Sequence, residues 1–298
     1  MRTLALAILL SLGLPGLWAQ DTGKITFVQV SDTHWGFANP KINPDATGTL
    51  PRAIDEINRL KVRPDFLVFT GDETHTTGDD AVRQKRMIEF KAMVAKLNVK
   101  TIHFLPGEHD VNQDDGMAYQ SFFGDLHYTF DYRGVHFVAL DNVSSPDASL
   151  GEAQLNWLAG LLKSWDKNSQ VVLFAHRPLV DVWAQWDWRT KDGAKALALL
   201  QSFPNVSLFY GHIHQKRTDA QVGFTQYAAK GMMFPLPAPG SMATPAQVPW
   251  DPSQPYRGLG FRVVTIEVPT KKVSVQEYGL VAAAGASDSD SDAYEDED

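Results

Sequence analysis

Nine aspartate, glutamate and histidine side chains, the kinds able to hold metal ions, fall in five short blocks. The blocks are Asp32-Thr33-His34, Gly71-Asp72, Gly107-Glu108-His109-Asp110, Ala175-His176-Arg177-Pro178 and Gly211-His212-Ile213-His214. Carboxylate oxygens and imidazole nitrogens are the ligands that Mn, Fe and Zn take. Two such ions need about seven or eight donors, and Asp32, His34, Asp72, Glu108, His176, His212 and His214 supply seven. Held about 3.5–4 Å apart, two ions can activate one water and neutralise a phosphoryl oxygen. Residues two apart in an extended chain point the same way. Asp32 and His34 are therefore expected to face one site from extended backbone, as are His212 and His214. Gly71, Gly107 and Gly211 are expected to allow sharp turns. Asp72, with two oxygens just after such a turn, is expected to bridge the ions.

Each block sits where a strand-like run ends. Residues 25–30, 66–70, 102–105, 171–174 and 206–210 are short and apolar, and each leads into one block. Helical spacing fills the gaps at 48–61, 81–97, 152–165 and 195–200. Runs 128–132 and 135–140 flank Arg133-Gly134 and predict a hairpin. The last third is β-rich, at 223–228, 261–268 and 273–278. Residues 235–255 carry seven prolines and predict a long ordered loop acting as a lid or a cover. Strand, ligand and helix in repeat is the pattern of an α/β protein. Open α/β sheets carry their functional groups at the carboxyl ends of strands.

The formal net charge is −8 over 298 residues. Residues 287–298 hold seven acids and no base, so the remainder is near −1. A near-neutral body gives no strong nucleic-acid signal. Arg2, the apolar stretch 4–14 and the small residue Ala19 predict a signal peptide over 1–19 and a secreted or periplasmic protein. The stretch is short for a membrane span, and no transmembrane anchor is expected. The chain has no cysteine, which excludes disulfides. The expected organisation is a signal peptide at 1–19, a catalytic domain at 20–282 and a disordered acidic tail at 283–298. Nothing in the sequence fixes an oligomeric state.

In order, the blocks read SDTH, TGDE, PGEHD, AHRP and GHIH. This series resembles the calcineurin-like metallophosphoesterase superfamily, whose pattern is D-x-H, G-D, G-N-H-[DE], H and G-H-x-H. The resemblance spans residues 25–214 and comes nearest the bacterial branch that includes cyclic-nucleotide phosphodiesterases. It implies a four-layer α/β/β/α sandwich and two divalent or trivalent ions (Mn, Fe or Zn). It places Asp32, His34 and His214 on the first ion, Asp72 between them, and His176 and His212 on the second. It implies hydrolysis of a small phosphoester by a metal-bound hydroxide, with His109 as general acid and Asp110 orienting it. The reaction expected is phosphodiester hydrolysis. The alternatives are a phosphomonoesterase, a nucleotide or lipid pyrophosphatase, and a metal-binding sensor without turnover.

Glu108 departs from the pattern, which has asparagine there. Glutamate offers ligand oxygens but, when ionised, no donor. Three further residues are substrate-binding candidates. His75 follows Asp72 by three positions, Arg177 follows His176, and Trp183 leads a cluster completed by Trp186 and Trp188. The histidines at 103, 127 and 136 read as structural.

Overall fold

The computed structural model describes residues 23–111, 114–221 and 223–281. The expected signal peptide and acidic tail lie outside them. In chain order the elements are β1 (Lys24–Val30), α1 (Thr49–Asn58), β2 (Phe66–Thr70), α2 (Asp80–Val94), β3 (Ile102–Leu105), α3 (Glu108–Val111), α4 (Met117–Phe123), β4 (Tyr128–Tyr132) and β5 (Val135–Ala139). They continue with α5 (Gly151–Ser164), β6 (Gln170–Phe174), α6 (Gly193–Leu200), β7 (Val206–Tyr210), β8 (Arg217–Gln221), β9 (Phe224–Ala228), β10 (Gly260–Glu267) and β11 (Lys272–Gly279).

Two sheets form. One has the order β11-β10-β1-β2-β3, the other β4-β5-β6-β7-β9-β8. Strands β1, β2 and β3 are parallel, and so are β5, β6, β7 and β9. Antiparallel strands finish three of the four edges. α1 and α2 cover the first sheet through Leu50, Ile54, Ile57, Phe90 and Val94. α5 and α6 cover the second through Leu155, Leu158, Leu162, Ala196 and Leu200. The expected four layers, α/β/β/α, are therefore present.

Strands buried on both faces read as unbroken apolar runs, which explains why Phe66–Thr70 and Gln170–Phe174 are buried throughout. Between the sheets, Phe27 stacks on Phe66 at 5.1 Å and meets Phe174 and Phe209 edge-on at 5.5 and 5.3 Å. That aromatic layer fixes the distance between the sheets. It thereby sets the strand ends of one sheet against those of the other.

Three elements were not foreseen. β8 reads RTDAQ, a mostly polar edge without the apolar alternation that announces a strand. α3 and α4 are only 4 and 7 residues long, too short for helical periodicity to show. The proline-rich segment 235–255 is a tethered cover. Val248 N–H donates to Pro235 O at 3.0 Å, Trp250 N–H to Lys41 O at 2.9 Å, and Trp186 Nε1–H to Ala243 O at 3.2 Å. Among the described residues, no helix is long and apolar enough to cross a membrane.

Candidate metal centre

The five blocks converge at the carboxyl ends of five parallel strands. Asp32 and His34 follow β1, Asp72 follows β2, Glu108 and His109 follow β3, His176 follows β6, and His212 and His214 follow β7. The first sheet thus supplies three blocks and the second two. Ladder bonds carry the pairing into the loops: Asp32 N–H donates to Gly71 O at 3.0 Å, His34 N–H to Asp72 O at 2.8 Å, and Gly211 N–H to His176 O at 3.0 Å.

The donors form two end sets, joined by a triad of Asp32, Asp72 and His176 that spans them. Within each, ligand atoms lie within 4.8 Å of one another: Asp32, His34 and His214 in one, Glu108, His176 and His212 in the other. In the first, His214 Nε2 is 3.3 Å from Asp32 Oδ1 and from His34 Nε2. In the second, Glu108 Oε2 lies 2.8 Å from His176 Nε2 and Oε1 lies 2.9 Å from His212 Nδ1. Asp72 Oδ2 lies between, 3.6 Å from His34 Nε2 and 3.4 Å from His176 Nε2.

The backbone here corrects the sequence expectation. Asp32, His34, Asp72, His212 and His214 are not extended. Their φ angles are 54°, 39°, 54°, 63° and 51°, in the left-handed region, where single residues cost of order 1–3 kcal/mol each. Half of the ten non-glycine residues with positive φ among those described belong to these loops. The two members of each D-x-H or H-x-H pair converge by this curled geometry rather than by strand alternation. Gly71, at φ 97°, does turn sharply. Gly107 acts by close approach instead, since a Cβ there would lie 2.1 Å from Asp72 Oδ1.

Imidazoles are aimed by the nitrogen that faces away from the site. His176 Nδ1 lies 2.7 Å from Thr70 O and His214 Nδ1 lies 2.6 Å from Phe234 O. With N–H at each Nδ1, the Nε2 lone pair points inward. His34 Nδ1 contacts His75 Nδ1 at 3.4 Å. His75 therefore stands behind a candidate ligand, while burial and the nearby His109 push its pKa down to about 4.

The charges show what the donors do to one another. Burial opposes protonation of His176, yet the Asp72 and Glu108 carboxylates outweigh it and hold its pKa well above the ordinary imidazole value. Burial would raise Glu108, but His212 and His176 hold it well below the usual carboxylate range. His34 is pushed well down by burial and by neighbouring histidines, which outweigh the pull of the Glu108 carboxylate. Among the described residues, Asp32 Oδ2, Glu108 Oε2 and His176 Nε2 are buried without an aligned hydrogen bond. Buried polar atoms normally have partners. Carboxylate oxygens and an imidazole nitrogen converging in this way fit a cation, which would take the place of the proton on His176.

A family profile, Calcineurin-like phosphoesterase, matches residues 25–216. The chain belongs to this family. The phosphoesterase is therefore a metal-dependent phosphoester hydrolase, and its clustered donors fit a binuclear metal site. It is 27% identical over 219 residues to the mouse "Serine/threonine-protein phosphatase CPPED1", covering 65% of this chain and 70% of that protein. It is 29% identical over 206 residues to an Arcobacter nitrofigilis "Probable glycerophosphodiester phosphodiesterase GpdQ", covering 64% and 72%. A dimetal phosphatase from Danio rerio has the same fold, with a TM-score of 0.65 at 15% identity, over 86% of this chain and 96% of that one.

Around the donors the phosphoesterase has a cleft of about 340 Å³. Its apolar wall is Trp186, Trp188, Phe234, Leu236 and Pro245. Arg177 lines the cleft, as foreseen for a substrate contact, but Trp183 does not. The Trp183 ring packs against Gly240, where a Cβ would meet it at 2.9 Å. Trp186 and Trp188, stacked edge-on at 4.8 Å, take its place.

Asp110 is also corrected. It is fully buried, and its carboxylate accepts N–H groups of Gly107, Glu73 and Thr74 at 3.0, 3.1 and 2.9 Å. It binds the β2 and β3 loops together beneath the site. The group beside His109 is Thr76, whose Oγ1 lies 2.7 Å from Nδ1 and leaves Nε2 to the cleft, 4.0 Å from Asp72 Oδ2. Thr76 carries no sequence signal. His103 and His136 stack on Phe130 and Trp165 at 3.9 and 4.0 Å and have no part in the cleft.

Proposed function

We propose that this cleft hydrolyses phosphodiesters of small alcohols. The observation that carries the reading is the pair of converging donor sets with Asp72 Oδ2 between them. Asp32, His34 and His214 would hold one ion and Glu108, His176 and His212 the other, with Asp72 shared. Mn, Fe and Zn all suit this mixture of oxygen and nitrogen. When bound, the ions supply an activated water and neutralise a phosphoryl oxygen. The protein's own groups do the rest. His109 Nε2 faces the cleft and is placed to protonate the departing alcohol oxygen. Thr76 Oγ1 holds the ring in that attitude. The tryptophan and proline wall gives the cleft an apolar side.

Charge favours a diester over a monoester. Asp32, Asp72 and Glu108 place three carboxylates in one site. A diester arrives with one negative charge and a monoester with about two. The carboxylate at 108, where an amide would be neutral, adds a charge that Arg177, 3.8 Å away, offsets only in part, and so penalises the second charge. The two relatives named above carry names from both classes, so charge is the better guide to this chain.

The test is hydrolysis of bis(p-nitrophenyl) phosphate against p-nitrophenyl phosphate with added Mn²⁺. A higher kcat/KM for the diester is expected; a preference for the monoester would overturn the assignment. Stoichiometric metal binding without turnover of either would favour the sensor. Export is a second proposal, supported by Arg2, the 4–14 apolar stretch and Ala19. Mature protein beginning at Gln20 in the periplasm or medium is expected, and a retained Met1 would refute it.

A further inference from the structure

We infer that Arg177 binds the substrate's phosphoryl group and is the residue that makes a glutamate workable at position 108. This rests on the reading of the cleft as a phosphoester site. The need arises from Glu108. A carboxylate has no donor to offer a phosphoryl oxygen, and it adds a negative charge where an anion must enter. A cation with spare N–H groups beside it meets both difficulties.

Arg177 is so placed. It is the one arginine or lysine among the described residues lining the cleft. Its NH2 nitrogen lies 3.8 Å from Glu108 Oε1. That is close enough to offset the charge but beyond a hydrogen bond. NH1 is engaged, donating to Asp187 O at 3.2 Å and lying 3.5 Å from the Asp187 carboxylate, which is itself exposed. Nε is buried and, among the described residues, without an acceptor. The guanidinium is thus anchored at one nitrogen and oriented toward Glu108 with another.

The position is built from behind. Arg177 N–H donates to Asn142 Oδ1 at 3.2 Å, and Asn142 Nδ2–H donates to Arg177 O at 2.9 Å. Asn142 is fully buried and donates also to Thr190 Oγ1 at 2.7 Å. Thr190 in turn donates to Pro178 O at 2.8 Å. The turn that carries His176 and Arg177 is therefore clamped on both sides. The fork of a guanidinium, held still, suits two phosphoryl oxygens.

The test pairs Arg177→Gln with Glu108→Asn, singly and together, in metal-loaded protein. Inorganic phosphate is titrated by calorimetry, so that binding is read whether or not any ester turns over. Arg177→Gln is expected to weaken phosphate by about 10-fold or more, the usual worth of a charged hydrogen bond, with metal content unchanged. Arg177→Lys should recover part of the loss. In the Glu108→Asn background the same change should cost no more than about 3-fold, since an amide then supplies a donor and no charge needs offsetting. Equal losses in both backgrounds, or unaltered phosphate affinity, would overturn the inference. Absence of turnover on every phosphoester would overturn the functional reading while leaving the phosphate result to judge Arg177.

Discussion

The two halves of the metal centre are built on different terms. Asp32, His34 and His214 are almost wholly shielded from solvent, and two of their rings are held from outside, by His75 and by the Phe234 carbonyl. In the second half His176 is held from outside by the Thr70 carbonyl, but Glu108 meets the His176 and His212 rings through the 2.8 and 2.9 Å contacts of a single carboxylate. That carboxylate keeps 20% of its side-chain surface and has an arginine beside it. The first half is positioned by the scaffold. The second depends more on charge, and charge is what an incoming anion changes. The first half should therefore hold its ion more tightly, and the second should govern what substrate is taken.

The strongest way to break this comparison is to remove one ring from each half. His214→Ala and His176→Ala should each drop metal content by one ion per chain and abolish diester turnover, read by elemental analysis and a steady-state assay. Loss of both ions from either variant would mean that the halves are not separate. Next is His109→Gln, which leaves both donor sets intact. It should lower kcat by about 10²–10⁴-fold with two ions retained; an unchanged kcat would remove His109 from proton transfer.

A smaller effect is expected at His75, which touches only the scaffold-held half. His75→Phe should weaken the tighter metal by about 10–100-fold, the usual cost of losing an outer partner. The weaker metal should be unaffected in the same titration. The smallest effect lies outside both halves. Burial on Phe130 pushes the His103 pKa down to about 4, while the unfolded chain titrates near 6.5. Between those values the unfolded state binds more protons, so stability falls as pH falls from about 6.5 to about 4. His103→Phe should flatten that part of the urea-midpoint profile without altering turnover. An unchanged slope would assign the acid sensitivity to other groups.

Much of the fold was legible because the parallel strands are buried on both faces and announce themselves as apolar runs, as at residues 66–70 and 170–174. The donor blocks were legible because chemistry restricts them to aspartate, glutamate and histidine. What escaped notice depended on the path of the backbone. Asp32 and His34 read as strand residues but lie at positive φ. Asp110 adjoins His109 in sequence, yet its carboxylate turns beneath the loops. Trp183 and Trp186 are three apart in a segment without period, so sequence could not say which ring faces the cleft. Thr76 is one of many threonines until the fold brings it to His109.

The most direct test of the account is metal titration of the chelated protein with Mn²⁺, with binding and diester hydrolysis followed together. Two equivalents should bind per chain, and turnover should rise only with the second, when the half containing Glu108 is filled. Full activity at a single equivalent would contradict the assignment of a working ion to each half.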